Sequence, residues 1–78
     1  MDIKEYIAID PDVLGGRPVF KGTLVPVQTL FDHLEAGVSL DEFLDDFETV
    51  TKEQAIGVLE VASRFVTSGN IAALYETA

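Results

Sequence analysis

Residues 36–58 read AGVSLDEFLDDFETVTKEQAIGV, and this stretch decides the fold. A glycine is followed by a short amphipathic run from Ser39, a brief connection, and a longer run that begins at Thr51. Ser39 with Glu42, and Thr51 with Gln54, have the spacing of capping boxes, which satisfy the first amides of a helix. A short helix, a tight turn and a longer helix in this order are typical of a helix-turn-helix unit. Any compact three-helix bundle has the same pattern.

The spacing of apolar residues predicts three helices over residues 27–68. The first follows Pro26 and ends near Gly37, the second occupies about residues 40–47, and the third runs from Thr51 to near Gly69. The third helix is apolar round most of its circumference, which predicts that it is covered on two sides. The segment over 70–78 is open to interpretation, and a short helix that swaps between subunits is one alternative.

Residues 5–26 alternate between short extended pieces and turns. Lys21-Gly22 between apolar β-formers is a hairpin signal, because glycine supplies the positive φ that such a turn needs. We expect a small sheet of two or three strands there. The predicted fold is therefore one domain over residues 1–78, mainly α, with a small N-terminal β-hairpin or sheet before a three-helix helix-turn-helix unit.

Composition restricts the classes of function. Five basic and 14 acidic side chains give the 78-residue chain a net charge of −9, which repels a phosphate backbone at long range. The chain has no cysteine, which excludes disulfides and thiolate metal sites. The opening residues do not resemble a signal peptide, and no apolar run approaches the ~20 residues of a membrane span. We expect a cytoplasmic protein without a membrane partner, and its small core favours a homodimer.

Two surfaces compete as the binding site, and the first is cationic. If the third helix enters a DNA groove, Lys52 and Gln54 on its opening turns are the natural partners of phosphates and base edges. Gly57 would lie on the same exposed face. Arg17 and Lys21, in the glycine-rich stretch before the helices, are then the expected phosphate contacts. The structural alternative is a turn that carries two solvated charges.

The second surface is acidic and belongs to the second helix. Its four carboxylates are those of Asp41, Glu42, Asp45 and Asp46. The simpler interpretation is a solvated acidic face. The alternative is a surface that docks a basic protein, such as a nuclease, by electrostatic complementarity.

No active site is recognisable in the sequence. The stretch 15–23 has lysine before glycine and leads into β-formers, which excludes a phosphate-binding loop. His33 is predicted on the polar side of the first helix, at the surface, without a companion metal ligand or a nucleophile to activate. Asp10-Pro11-Asp12 lacks the rest of a calcium loop. We expect no catalysis, no metal and no cofactor.

A set of motifs over about residues 5–65 resembles the family known as domain of unknown function 433. The residues that carry the resemblance are Asp10-Pro11, Gly15-Gly16-Arg17-Pro18, Phe20, Gly22-Thr23, Pro26-Val27, Gly37, Ser39, Glu42, Phe47, Thr51, Glu53, Ile56, Leu59 and Ala62. The chain departs from the family pattern at Leu24, where an arginine is usual, and at Phe47-Glu48, where Tyr-Pro is usual. Both changes make the region near the expected DNA contacts less positive.

The resemblance implies a homeodomain-like or winged helix-turn-helix fold in a bacterial protein. It also implies an antitoxin that is encoded beside a nuclease-like toxin. We therefore expect a non-enzymatic, antitoxin-like binding module, dimeric, that holds a toxin protein through the acidic second helix or the C-terminal segment. The alternative is a DNA-binding transcriptional regulator that represses its own promoter.

Overall fold

A computed structural model describes residues 2–77. Within that range the chain forms four α-helices and one small antiparallel sheet, which confirms a mainly helical fold with N-terminal β-structure. The strands are β1 (Ile7–Ala8) and β2 (Val19–Phe20), and the helices are α1 (Val27–Glu35), α2 (Leu40–Asp46), α3 (Lys52–Thr67) and α4 (Asn70–Thr77). Short 3-10 turns at Ile3–Glu5 and Leu14–Gly16 precede the strands. No helix in the described range is both long and apolar enough to cross a membrane.

The sheet differs from the predicted hairpin. β2 pairs with β1, where Ile7 lies opposite Phe20, and not with a strand that follows it. The turn at Lys21–Gly22 is present, with a φ of +78° at Gly22, and the Phe20 amide donates to the Val25 carbonyl at 3.0 Å. The chain after this turn enters α1 immediately beyond Pro26, so it has no length in which to form a full strand.

The predicted caps are present at both helices, but only one is a complete box. The Thr51 hydroxyl accepts from the Gln54 amide at 3.1 Å, and the Gln54 side-chain oxygen accepts from the Thr51 amide at 3.0 Å. At α2 the Ser39 hydroxyl accepts from the Glu42 amide at 3.2 Å. Among the described residues the Glu42 side chain does not accept from the Ser39 amide. The predicted capping box at Ser39 is therefore wrong in this reciprocal bond.

The core lies where α1, α2, α3 and β2 meet. Phe20, Leu30 and Phe43 are fully buried there, and the rings of Phe20 and Phe43 lie 6.2 Å apart. Burial of each such side chain contributes about 1.5–3 kcal/mol to stability. Val50 is also buried and anchors the connection between α2 and α3, so the two helices are held to one core.

His33 is not the surface residue that the sequence predicts. Its ring is half-buried and lies edge-on to Phe43 and Phe47, with centroids 5.4 Å from each. Its Nδ1 lies 2.7 Å from the Thr29 carbonyl oxygen, so this nitrogen carries a proton and donates to it. The prediction failed because α2 packs beyond the apolar stripe of α1 and encloses one side of its polar face.

The first half of α3 is covered on two sides and the second half is not. Gly57 is buried under the ring of Tyr6, so it does not lie on an exposed face as predicted. Val58 is buried in the core. By contrast, the side chains of Phe65 and Val66 are 53% and 57% exposed. The C-terminal segment is helical and packs on α3 as α4, without burying any of its own side chains.

Candidate functional site

The carboxylates of α2 form an exposed row, which we call the acidic surface. It consists of Asp41, Glu42, Asp45 and Asp46, all exposed. Their spacing puts them on one side of the helix, while Phe43 on the other side is buried in the core. Like charges three or four residues apart on a helix repel one another by about 0.2–0.5 kcal/mol per pair. A positively charged ligand relieves that repulsion, so the acidic surface favours a basic partner.

The predicted cations fall into two places. Lys52 is the first residue of α3 and is exposed, and Lys21 is exposed in the turn after β2. The side-chain amide of Gln54 donates to the Lys21 carbonyl at 2.8 Å, which holds this turn against the opening of α3. Arg17 is exposed beside the start of α1 and lines a different groove. The structure thus brings Lys21 and Lys52 to neighbouring segments and leaves Arg17 apart from them.

Gln54 has a structural role that the sequence analysis missed. Its side-chain oxygen accepts from the Thr51 amide, and its side-chain nitrogen donates to the Lys21 carbonyl. A glutamine that reads a base edge uses the same two atoms. The predicted base contact therefore requires that both hydrogen bonds break. The capping-box position was a signal for the first bond, but no signal in the sequence indicated the second.

The glycine-rich stretch before β2 is a structural turn. Leu14, Gly15 and Gly16 have positive φ values of 49°, 67° and 88°. Consecutive left-handed residues reverse the chain sharply, and glycine adopts that conformation without steric cost. Residues 2–77 contain no group of three or more His, Cys, Asp or Glu side chains that is arranged to hold a metal ion.

A second groove borders β1, and no motif in the sequence pointed to it. It is lined by Ile3, Lys4, Ile7, Ala8, Ile9 and Lys21. Most of this lining is apolar, yet it includes two of the five cations of a strongly acidic chain. Aliphatic side chains with ammonium groups at the margin suit an apolar ligand that carries carboxylates.

Comparison with known proteins places the chain in a family without assigning it an activity. A family model described as "Protein of unknown function (DUF433)" matches residues 7–62, which include the acidic surface and all the predicted cations but not α4. The "Uncharacterized protein y4eO" of Sinorhizobium fredii is 35% identical over 51 residues, which are 65% of this chain and 23% of that protein. The chain thus spans less than a quarter of this relative. No solved structure matches it. By the extent of the family match, the chain belongs to the DUF433 family.

Proposed function

We propose that this protein is a non-enzymatic, antitoxin-like binding module that holds a basic protein, of the nuclease-toxin type, on the acidic surface of α2. One observation carries the proposal: four exposed carboxylates lie on one side of a helix whose other side is anchored in the core. The net charge of −9 extends this negative field over the molecule. Such a field steers a basic partner and raises its association rate.

The proposal also includes the arrangement of the chain. Residues 1–78 act as one domain in the bacterial cytoplasm, with α2 and α3 as a helix-turn-helix unit of the homeodomain-like or winged type. Two copies associate as a homodimer. Supporting observations are the buried Val50, which ties the connection between α2 and α3 to the core, and the complete cap at Thr51, which fixes the start of α3.

The test uses the product of the gene adjacent to this one as the probe. Neutralising the acidic surface with Asp→Asn and Glu→Gln changes keeps the side-chain shapes and removes four negative charges. We expect association with the probe to slow by at least about tenfold at low salt, and its salt dependence to weaken, because steering is electrostatic. Surface plasmon resonance at several salt concentrations measures both effects.

A matched control removes the same total charge elsewhere. Exposed glutamates outside α2 are changed to glutamine, namely Glu5, Glu35, Glu60 and Glu76. We expect this control to slow association much less, because its charges are spread over the molecule. Equal effects of the two variants, or no binding of the probe by the wild type, would contradict docking at the acidic surface.

A DNA-binding regulator is the second candidate, and the position of two exposed cations, Lys21 and Lys52, on neighbouring segments favours it. In this alternative Arg17, Lys21 and Lys52 contact phosphates, and Gln54 approaches base edges. A mobility shift with the upstream DNA of its own gene at low salt tests it. The Arg17→Ala, Lys21→Ala double variant should abolish the shift, and Arg64→Ala, at an exposed cation outside this surface, should not. A wild type that shifts no DNA at low salt rejects this alternative.

A further inference from the structure

The two strands of the sheet differ in what covers their edges. β2 pairs with β1 on one side and meets the Val25–Pro26 segment on the other, through the Phe20 amide and a bridge between Val19 and Pro26. Within residues 2–77, β1 pairs with β2 alone. Ile7 and Ala8 of β1, with Ile9 after it, also line the groove that contains Lys4 and Lys21. β1 therefore has an open edge, and the same strand borders that groove.

The hydrogen-bond pattern identifies the backbone groups that point to the open edge. The Lys21 amide donates to the Tyr6 carbonyl at 2.9 Å, so Tyr6 and Lys21 form a hydrogen-bonded pair. The next pair, Ile7 with Phe20, is therefore a non-hydrogen-bonded one. The N–H and C=O of Ala8 then face β2. Because these groups alternate along a strand, the N–H and C=O of Ile7 and Ile9 point away from β2. Donors and acceptors at this spacing are what an added strand pairs with.

We propose that β1 pairs antiparallel with β1 of a second copy, about a twofold axis at Ala8, so that the two small sheets join into one. The proposal rests on the dimeric state proposed above and identifies its interface. In this register Ile7 lies opposite Ile9 of the second copy, and Ile9 lies opposite Ile7. Each chain then uses the N–H and C=O of both Ile7 and Ile9. A shift of register by one residue would place these outward groups opposite groups that point toward β2, so they could not pair.

The side chains at this edge fit the same register. Ile9 is 67% exposed and Ile3 is 48% exposed, although both border the groove. Ile7 and Ile9 lie on one side of the sheet because they are two residues apart. Residues opposite one another on paired strands have Cβ atoms about 5 Å apart, so Ile9 packs against Ile7 of the second copy. The pairing thus covers Ile9, which a monomer leaves largely in water.

Charge at the interface offsets the repulsion between two acidic chains. The groove supplies Lys4 and Lys21, and the second copy supplies the turn after its own β1, with exposed Asp10 and Asp12. The Asp10 carboxylate accepts from the Asp12 amide at 2.9 Å, which fixes this turn and leaves the Asp12 carboxylate at its surface. The antiparallel register brings this turn toward Lys4, so opposite charges meet at each end of the paired strands.

The first test compares Ile9→Pro with Ile9→Thr by sedimentation equilibrium of the full chain. Proline removes an outward N–H without removing a bond between β1 and β2, whereas threonine keeps it. We expect the wild type and Ile9→Thr to sediment at twice the 8.5 kDa chain mass. For Ile9→Pro we expect the dimer dissociation constant to rise by at least about tenfold.

The second test does not depend on whether the proline variant folds. Lys4→Glu and Asp12→Lys each change an exposed residue, and we expect each to weaken the dimer. The double variant Lys4→Glu, Asp12→Lys restores opposite charges across the interface and should recover the dimer. Circular dichroism of every variant checks that the helices are intact.

The outcomes separate the interface from the dimeric state. If the wild type is dimeric and neither Ile9→Pro nor the charge variants change the dissociation constant, the β1 interface is wrong and the dimer uses another surface, such as exposed Phe65 and Val66. If the wild type sediments as a monomer, the dimeric state and the interface are both wrong. Neither outcome affects the binding test of the acidic surface.

Discussion

The ring of Tyr6 lies directly on the backbone of Gly57 in α3. A Cβ at residue 57 would stand 2.6 Å from three carbons of that ring. This contact joins the segment before β1 to the first half of α3, where Gly57 is buried. Glycine inside a helix is less favourable than alanine by about 1 kcal/mol, and the close approach of Tyr6 offsets that cost.

Gly57→Ala should therefore destabilise the protein, although alanine is the better helix former. A methyl group at this position displaces the Tyr6 ring, and we expect the free energy of unfolding to fall by about 1–3 kcal/mol. Urea denaturation followed by circular dichroism measures it. Gly69→Ala is the control, since no described atom beyond its chain neighbours lies within 4 Å of a Cβ there. It should change stability by less than about 0.5 kcal/mol. A Gly57→Ala variant more stable than the wild type contradicts the contact.

Gln54→Ala tests the link between α3 and the Lys21 turn. It removes half of the capping box and the bond to the Lys21 carbonyl, so we expect a loss of about 1–2 kcal/mol. Gln28→Ala is the matched control, because within the described part of the chain the Gln28 side chain bonds only to exposed Asp32, one turn along α1. That change should cost about 0.2–0.5 kcal/mol. Similar losses in both variants, measured by urea denaturation, would mean that the link contributes no stability.

His33→Ala should destabilise the interface between α1 and α2. It removes the edge contacts to Phe43 and Phe47 and the hydrogen bond to the Thr29 carbonyl, which together contribute about 1–3 kcal/mol. Thermal unfolding of this variant is compared with that of Glu35→Ala, an exposed position on the same helix. If the two variants melt at the same temperature, the contacts of half-buried His33 contribute no stability.

Leu24→Arg tests the DNA-binding alternative. The Leu24 side chain is 73% exposed, so we expect stability to change by less than about 0.5 kcal/mol. The new cation stands where the DUF433 pattern usually has arginine. If nucleic acid binds at this surface, affinity should rise and the salt dependence should steepen by about one counterion. Leu24→Gln is the uncharged control, and equal DNA affinity of both variants would argue against the alternative.

Amides in α4 should exchange with solvent much faster than those in α2. The two helices are similarly short, but α2 buries Phe43 whereas α4 buries no side chain. An isolated helix shorter than about 12 residues is marginal in water, so tertiary contacts decide which of the two is protected. Hydrogen exchange followed by mass spectrometry on the full chain measures the difference. Equal protection would show that another surface covers α4 in solution.

Local signals predicted α1, α2 and α3 closely. Pro26 begins α1, Gly37 follows it with a φ of +83°, and Ser39 and Thr51 cap the next two helices. Each signal acts within about one helical turn, so it requires no knowledge of the rest of the fold. The four acidic residues of α2 lie on one side of the helix for the same reason, since helical spacing alone puts them there.

The sequence by itself determined the three main helices, the acidic surface and the charge of the protein, because these follow from residue identity and spacing along one element. Only the tertiary structure decided that β1 is the partner of β2, that His33 is enclosed, and that Gly57 lies under Tyr6. It also joined Gln54 to Lys21, 33 residues away. Such contacts depend on how the elements pack against one another, and packing is decided by the whole set of side chains at once.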